Sequence, residues 1–286
     1  MKLIKQSFEF INQTDFSLVG IKKHIERCAR VSYKSENKIT DTSYEKFVNM
    51  LESRGHDRPL EFGTVHLEID MCPRDIIIDT LINQGMFNQL WWKETYKNGK
   101  VYVTTNYRYY LAIKKVYPDI DKYFTEEDNK YYPKRYTVHM ILDRGVMDEF
   151  RTHVGLSHLA ESTRYCNYSK DKFNNELTFI DPCWEIKTAN ERITPEGTYM
   201  SSDSLEFLTA LNEAEDHYLS LLAKGWTPQQ ARSVLPLCIK SELISCGFEN
   251  AWENFFKRRD APDAHPMAQE IAKPMHQKFI ELTKMG

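Results

Sequence analysis

The sequence lacks any large excess of charge of one sign. Its 286 residues include 38 Lys and Arg against 41 Asp and Glu, which gives a net charge of -3. A strongly basic surface is the usual means by which a protein binds a nucleic acid duplex or an acidic membrane. The composition therefore predicts no nucleic acid partner, while a local cationic pocket for a small phosphate stays compatible with it.

Long apolar runs are also missing. No stretch approaches the roughly 20 apolar residues that a membrane-spanning helix needs. The N-terminal segment, MKLIKQSFEFINQTDF, has no apolar core of the kind that a signal peptide requires. We therefore predict a cytoplasmic protein without a membrane partner.

Paired cysteine motifs are absent as well. The six cysteines are scattered and form no CxxC pair, so the sequence indicates neither a zinc site nor a disulfide framework. His153 and His158 are five residues apart, which does not place both on one face of a helix, and no third ligand has usable spacing. We predict no metal site.

Apolar residues are plentiful enough to form a core, at 41% hydrophobic and 13% aromatic. Helical spacing and turn signals predict helices at residues 16–33, 43–54, 146–158, 205–224, 242–259 and 266–284. Alternation predicts strands at 61–70 and 135–143, and Asn98-Gly99 predicts a hairpin. The charged and aromatic segment 114–133 is predicted to loop out. This order of elements indicates a mixed α and β protein.

The densest group of polar residues runs from Glu149 to Tyr168, as EFRTHVGLSHLAESTRYCNY. Serine hydroxyls and an arginine fork are the groups that a phosphate monoester needs. A solvent-exposed loop is the alternative interpretation of such a stretch, because isolated Ser/Arg clusters are weak motifs.

Four blocks of the sequence resemble the flavin-dependent thymidylate synthases. The first is the stretch with His153, Ser162 and Arg164-Tyr165, which aligns with the central His, the Ser and the Arg-Tyr of the family's pattern R-H-R, then seven residues, then S, then R-Y. The others are ARVSYKS with GHDRPLEFGTVHLEI (29–35 and 55–69), GWTPQQARSVLPL (225–237), and Asn254 and Arg259 with MAQEI (267–271). Ordered agreement across four blocks is more specific than any one motif.

The resemblance implies a fold and a reaction. The implied fold is α/β (α+β), with a mixed sheet flanked by helices, assembled as a homotetramer that binds flavin and nucleotide where subunits meet. The implied reaction converts dUMP to dTMP with FAD as cofactor and with methylenetetrahydrofolate and NADPH as co-substrates. We expect a single domain over residues 1–286, with an inserted segment at about 72–133.

The resemblance also implies roles for the residues that bind the nucleotide. Ser162, Arg164 and Arg232 would grip its phosphate and sugar. Glu149 stands where the family has a Gln that faces the nucleotide. Arg259 would lie over the uracil and polarise it, which makes it the predicted catalytic residue.

Three further residues fall at positions that bind the flavin in the family, namely His153, Ser157 and Asn254. The sequence departs from the family pattern beside them. The R-H-R motif reads Thr152-His153-Val154, so both arginines are missing, and Phe62 replaces a family His. Losing a charged hydrogen bond costs about 1.5–3 kcal/mol unless another group replaces it.

Possible replacements for the lost arginines are Arg108, Arg135 and Arg144, and the 72–133 segment could form a lid, a subunit contact or new flavin contacts. Three interpretations follow. The protein is a divergent thymidylate synthase with relocated flavin contacts, or a relative that makes another C5 modification of a pyrimidine nucleotide, or a nucleotide-binding protein that has lost catalysis. We favour the first.

Overall fold

The computed structural model describes residues 1–164, 166–169, 176–184, 193–194, 197–198 and 202–285. The strands in these ranges are β1 (Lys2–Ile4), β2 (Ser7–Phe10), β3 (Thr64–Asp70), β4 (Trp92–Lys97), β5 (Lys100–Asn106), β6 (Phe124–Thr125), β7 (Arg135–Asp143), β8 (Ser157–Ala160), β9 (Thr178–Ile180), β10 (Ile193–Thr194), β11 (Gly197–Thr198) and β12 (Lys240–Phe248).

The α-helices in the same ranges are α1 (Leu18–Val31), α2 (Ser43–Ser53), α3 (Met71–Asn83), α4 (Tyr107–Val116), α5 (Arg144–Phe150), α6 (Ser202–Ala223), α7 (Pro228–Ala231), α8 (Glu249–Arg259) and α9 (Pro266–Met285). Short 3₁₀ helices lie at Glu36–Lys38, Arg58–Phe62, Pro118–Tyr123 and Arg232–Val234. None of the described helices is both long and apolar enough to cross a membrane.

The first sheet has the strand order β2-β7-β12-β8, with every neighbouring pair antiparallel. One face of this sheet packs with α5, α8 and α9 in a core that includes Met140, Leu243 and Phe256. Residues of the opposite face, such as Ile244, join the core that contains α1. Because β12 is central and covered on both faces, it holds together the parts of the chain that carry the site.

The second sheet has the order β4-β5-β3-β6 and is also antiparallel. Three of its strands come from the 72–133 segment and the fourth is β3, so this segment is joined to the rest of the protein by a full ladder of hydrogen bonds. The predicted hairpin is confirmed, since Asn98 and Gly99 have φ of 51° and 77° between β4 and β5. Such positive φ angles are those of a type I′ turn.

The predicted fold class, α/β (α+β) with helices flanking the sheets, is confirmed. Pairing is antiparallel in both large sheets and parallel between β1 and β9. The helices predicted at 16–33, 43–54, 205–224 and 266–284 correspond to α1, α2, α6 and α9.

The helix predicted over 242–259 is wrong in its first half. Residues 240–248 form strand β12, and helix α8 begins only at Glu249. All residues of β12 after Lys240 are buried. A strand covered on both faces shows no alternation of apolar and polar residues, so hydrophobic periodicity does not distinguish it from a buried helix.

The helix predicted over 146–158 is wrong beyond Phe150, where α5 ends. Asp143 caps the start of α5, since its carboxylate accepts a hydrogen bond of 2.6 Å from the Val146 N–H. The chain then turns through Gly155, whose φ of 94° is incompatible with a right-handed helix, and enters β8. His153 therefore lies in a turn and Ser157 on a strand.

The loop predicted over 114–133 is only partly correct. Helix α4 continues to Val116, and a 3₁₀ helix follows at Pro118–Tyr123. Strand β6 then pairs with His66 and Leu67 of β3. The short length of these elements gives them little periodic signal in the sequence.

Candidate active site

The end of helix α8 meets the turn after α5 at the side chain of Arg259. Its Nε donates to His153 Nε2 at 2.8 Å, and its Nη1 donates to the Glu149 carboxylate at 2.7 Å. Its Nη2 donates to the Glu149 backbone carbonyl at 2.9 Å. Arg259 is 106 positions from His153 and 110 positions from Glu149 in the sequence. The fold thus brings these three predicted site residues into one cluster.

His153 is neutral in this cluster. Burial, and then the positive charge of Arg259, lower the pKa of His153 to about 4. Because its Nε2 accepts the hydrogen bond from Arg259, the neutral ring carries its proton on Nδ1. The ring also packs against Phe255 of α8, with 4.9 Å between ring centroids. The orientation of Arg259 is therefore fixed by an uncharged acceptor on one side and a carboxylate on the other.

The three positions that lack the family's charged residues supply no cation here. Thr152 Oγ1 donates to the Glu149 carbonyl at 2.7 Å and accepts from Arg259 at 3.3 Å. Val154 is 74% exposed, and Phe62 is fully buried in the core. Thr152 thus helps to hold Arg259 in place, whereas Phe62 packs in the core at the position where the family has a polar histidine.

The turn after β8 meets the short helix that carries Arg232. Arg232 Nη1 donates to Thr163 Oγ1 at 3.2 Å, and Arg164 Nε donates to the Gln229 side chain at 3.1 Å. The Ser162 N–H donates to the Ser32 carbonyl at 3.1 Å, which fixes the start of the turn. The structure therefore brings Ser162, Arg164 and Arg232 to one place, while Tyr165 of the same motif lies outside the described residues.

Asn254 stands apart from both of these clusters in the described structure. It lies exposed on α8, five positions before Arg259. Its side chain makes no hydrogen bond to any residue that the structure describes. A contact from Asn254 to a flavin stays a prediction.

A cavity of about 770 Å³ opens beside Ser157, between the 3₁₀ helix Arg58–Phe62 and the 72–133 segment. Ser157 Oγ donates to one carboxylate oxygen of Glu61 at 2.6 Å, and Arg108 Nη1 donates to the other oxygen at 2.6 Å. The Glu61 side chain is only 8% exposed. Arg58, Trp91 and Arg108 line the cavity with Ser157 and Glu61. Its volume lies within the range of about 300–1,000 Å³ that small-molecule sites have.

Of the three arginines considered as replacements, only Arg108 lines this cavity. Arg135 donates to the Glu61 and Gly63 backbone carbonyls, at 2.7 and 3.3 Å, and so supports the chain behind the cavity. Arg144 lies 3.6 Å from Asp148 on its own helix. No motif specified the position of Arg108, because it lies between the blocks of sequence that resemble the family.

Sequence reasoning missed a buried ionic cluster behind the Ser162 turn. Lys240 pairs with both Glu161 and Glu242, and Lys34 Nζ donates to Glu242 at 2.6 Å. Burial alone would raise the pKa of Glu242, but the hydrogen bond from His139 and the charges of Lys240 and Lys34 outweigh it and hold that pKa well below its usual value. The cluster ties Glu161, and with it the turn, to the central strand. The charged residues Lys240 and Glu242 within a buried strand are the sequence signal that could have indicated it.

A family model described as thymidylate synthase complementing protein matches residues 134–283, which is more than half of the chain. The chain belongs to this family. It is the flavin-dependent thymidylate synthase family that the sequence motifs indicated, so the predicted family is confirmed. All the predicted site residues lie inside the matched range, whereas Glu61 and Arg108 of the cavity lie outside it.

Two solved structures of the UMP/dUMP methylase PolB from Streptomyces cacaoi, bound with 5-Br dUMP and with 5-Br UMP, are similar to this member of the family. Both share 16% sequence identity with it and have a TM-score of 0.44. The alignments cover 99% of this chain and 93% and 92% of those chains. Among curated proteins, no significant match to the sequence was found.

Proposed function

We propose that the protein is a flavin-dependent thymidylate synthase, which converts dUMP to dTMP with FAD, methylenetetrahydrofolate and NADPH. The observation that most supports this proposal is the match of the family model to residues 134–283. Within that range, Arg232 lies next to the turn that carries Ser162 and Arg164. Two guanidinium groups beside a serine are suited to a phosphate monoester, because each guanidinium can donate two parallel hydrogen bonds to phosphate oxygens. These three residues bind the phosphate and sugar of dUMP.

Arg259 polarises the uracil ring. A positive charge that is held in a fixed orientation stabilises negative charge that develops on a carbonyl oxygen, and it does so without reorganising during the reaction. Glu149 and His153 hold Arg259 in that orientation through hydrogen bonds of 2.7 and 2.8 Å. Glu149 also faces the nucleotide, where its carboxylate accepts a hydrogen bond.

The cavity beside Ser157 has groups that suit a flavin. Arg58 and Arg108 offer cationic forks for phosphate oxygens, and Trp91 offers an aromatic surface. The hydroxyl of Ser32 is buried and has no hydrogen-bond partner among the described residues, and its neighbour Tyr33 lines the cavity. When bound, FAD would supply the redox chemistry of the reaction. Ser157, which lines the cavity, would contact the bound FAD.

His153 and Asn254 complete the proposed flavin contacts. His153 is two residues before Gly155, which lines the cavity, and its uncharged ring is suited to lie against a neutral heterocycle. Asn254 offers both a donor and an acceptor from the exposed side of α8. The assembly is a homotetramer in this proposal, and Val154 and Leu237, at 74% and 71% exposed, are apolar side chains that a neighbouring subunit would cover. Light scattering would give four times the 33.8 kDa of the chain, and a monomer mass would contradict it.

A second candidate is a relative that makes a different C5 modification or only binds the nucleotide. It is favoured by Thr152 and Val154 in place of two arginines, and by Glu149, a carboxylate where the family has an amide. A carboxylate that pairs with Arg259 offsets part of the positive charge that would polarise the uracil.

The test is a product assay. The protein is incubated with dUMP, FAD, methylenetetrahydrofolate and NADPH, and the nucleotide is then analysed by mass spectrometry. The proposal predicts dTMP, and predicts none when NADPH is omitted. A nucleotide of another mass would favour a different C5 modification, and unchanged dUMP together with measurable dUMP binding would favour loss of catalysis.

A further inference from the structure

The 72–133 segment reaches the cavity through two side chains, Trp91 and Arg108. Trp91 immediately precedes β4, and Arg108 is the second residue of α4, directly after β5. The antiparallel pairing of β4 with β5 brings these two residues together, and the Arg108 guanidinium lies 5.3 Å from the centroid of the Trp91 ring. Stacking of this kind restricts the guanidinium to one plane.

A buried carboxylate fixes Arg108 further. Glu61 accepts from Arg108 through one oxygen and from Ser157 through the other, both at 2.6 Å. A residue of the 72–133 segment is therefore connected, through a single carboxylate, to a serine of the family motif. Because Glu61 is held from both sides, Arg108 is oriented before any ligand arrives.

Arg108 also keeps contact with the open space of the cavity. Its side chain is 37% exposed, and its Nη2 forms a long ion pair with Asp57 at 3.8 Å, a distance too great for a hydrogen bond. Arg58 lines the same cavity and has no ion pair with any residue that the structure describes. The cavity thus presents two guanidinium groups, and paired guanidinium groups are suited to the two phosphates of a dinucleotide.

The arginines nearest to Thr152 and Val154, where the family's two R-H-R arginines are missing, provide no cationic group to the cavity. Arg151 lies next to Thr152, but its Nη1 donates to Asp148 at 3.4 Å on the exposed side of α5. Arg259 uses its guanidinium on Glu149 and His153. The cationic groups within the cavity therefore come from the 3₁₀ helix and from α4.

We propose that Arg108, supplied by the 72–133 segment, makes the contact to the pyrophosphate of FAD and so replaces the charge that is missing at residues 152 and 154. Trp91 and Glu61 orient Arg108 for this contact. The inference rests on the proposed function, since it takes FAD to be the ligand of the cavity.

The test compares FAD with riboflavin, which carries the same ring system without phosphates. Dissociation constants for both are measured by flavin fluorescence with the full chain and with Arg108→Gln. The matched control is Arg74→Gln, because Arg74 is also in the 72–133 segment and pairs with Glu94 instead of a cavity residue. We expect Arg108→Gln to weaken FAD binding about tenfold or more, with riboflavin binding unchanged, and Arg74→Gln to leave both unchanged.

A second variant distinguishes a loss of FAD binding from a disturbance of folding. Arg108→Gln leaves the buried Glu61 carboxylate without its charged partner, which could disturb folding. The double variant Glu61→Gln with Arg108→Gln has no buried charge at this place, and thermal unfolding verifies that it folds. The same selective loss of FAD affinity is expected from it.

The outcomes separate the two proposals. Equal FAD affinity in the wild-type chain and in both variants would overturn the role of Arg108 and leave the proposed function standing. Equal weakening of FAD and riboflavin would also overturn it, because Arg108 would then shape the cavity instead of binding phosphate. If the wild-type chain binds neither FAD nor riboflavin, the proposed function and this inference fall together.

Discussion

Arg259 donates hydrogen bonds from all three nitrogens of its guanidinium group, while Arg258 next to it is exposed. Adjacent positions on a helix point about 100° apart. Only one of the two arginines can therefore face the cluster of Glu149 and His153. This pair offers a matched comparison of two chemically identical side chains, of which one is placed in the proposed site.

We predict that Arg259→Ala lowers kcat by at least about 100-fold, which is the usual effect of removing a donor that stabilises developing charge. Arg258→Ala should retain activity close to that of the wild-type protein. The measurement is steady-state turnover of dUMP for both variants, with thermal unfolding to show that each is folded. Full activity in Arg259→Ala would refute the assignment of Arg259 as the catalytic residue.

At the scale of helices and strands, β7 and the β4–β5 hairpin could be predicted from sequence because their signals are local. β7 has the predicted bounds 135–143, and Asn98-Gly99 requires the positive φ angles that the hairpin shows. β12 could not be predicted, because burial of both faces removes the alternation that indicates a strand. α5 was predicted too long, because the apolar spacing continues to Val154, whereas the helix ends at Phe150 and the chain turns at Gly155.

The candidate site likewise has one part that could be predicted from the sequence and one part that could not. Arg259 and His153 could be proposed as site residues because the motifs that carry them have a defined order and spacing in the family, but those motifs did not predict the hydrogen bond between the two. The contact of Arg108 with Glu61 joins residues 47 positions apart, and it depends on how the 72–133 segment pairs with β3. No local pattern encodes such a contact, so it required the folded structure.

For the whole molecule, buried neutral histidines determine how stability responds to pH. Burial is the main cause that lowers the pKa of His24 to about 3 and of His66, His153 and His158 to about 4. An unfolded histidine has a pKa of about 6.5. Between pH 6.5 and about 4 the unfolded chain therefore binds more protons than the folded chain, and stability falls as the pH falls.

We predict that lowering the pH from 7 to 5 reduces the free energy of unfolding by about 1–2 kcal/mol for each of these histidines. Urea unfolding at several pH values measures this dependence. His24→Gln should lower by about one the number of protons that the chain takes up on unfolding, so that the free energy of unfolding changes less steeply with pH. His56→Gln, at an exposed position, should leave the pH dependence unchanged. Stability that is independent of pH between 7 and 5 would contradict the neutral, buried state of these side chains.

The central claim is that this chain holds a flavin next to a pyrimidine nucleotide. The most direct measurement is to mix the purified protein with FAD, pass it through a desalting column, and record the flavin absorption spectrum before and after adding dUMP. We predict that flavin is retained and that its spectrum shifts with dUMP but much less with deoxyuridine, which lacks the phosphate that Arg164 and Arg232 would bind. No retained flavin, with or without dUMP, would contradict the claim.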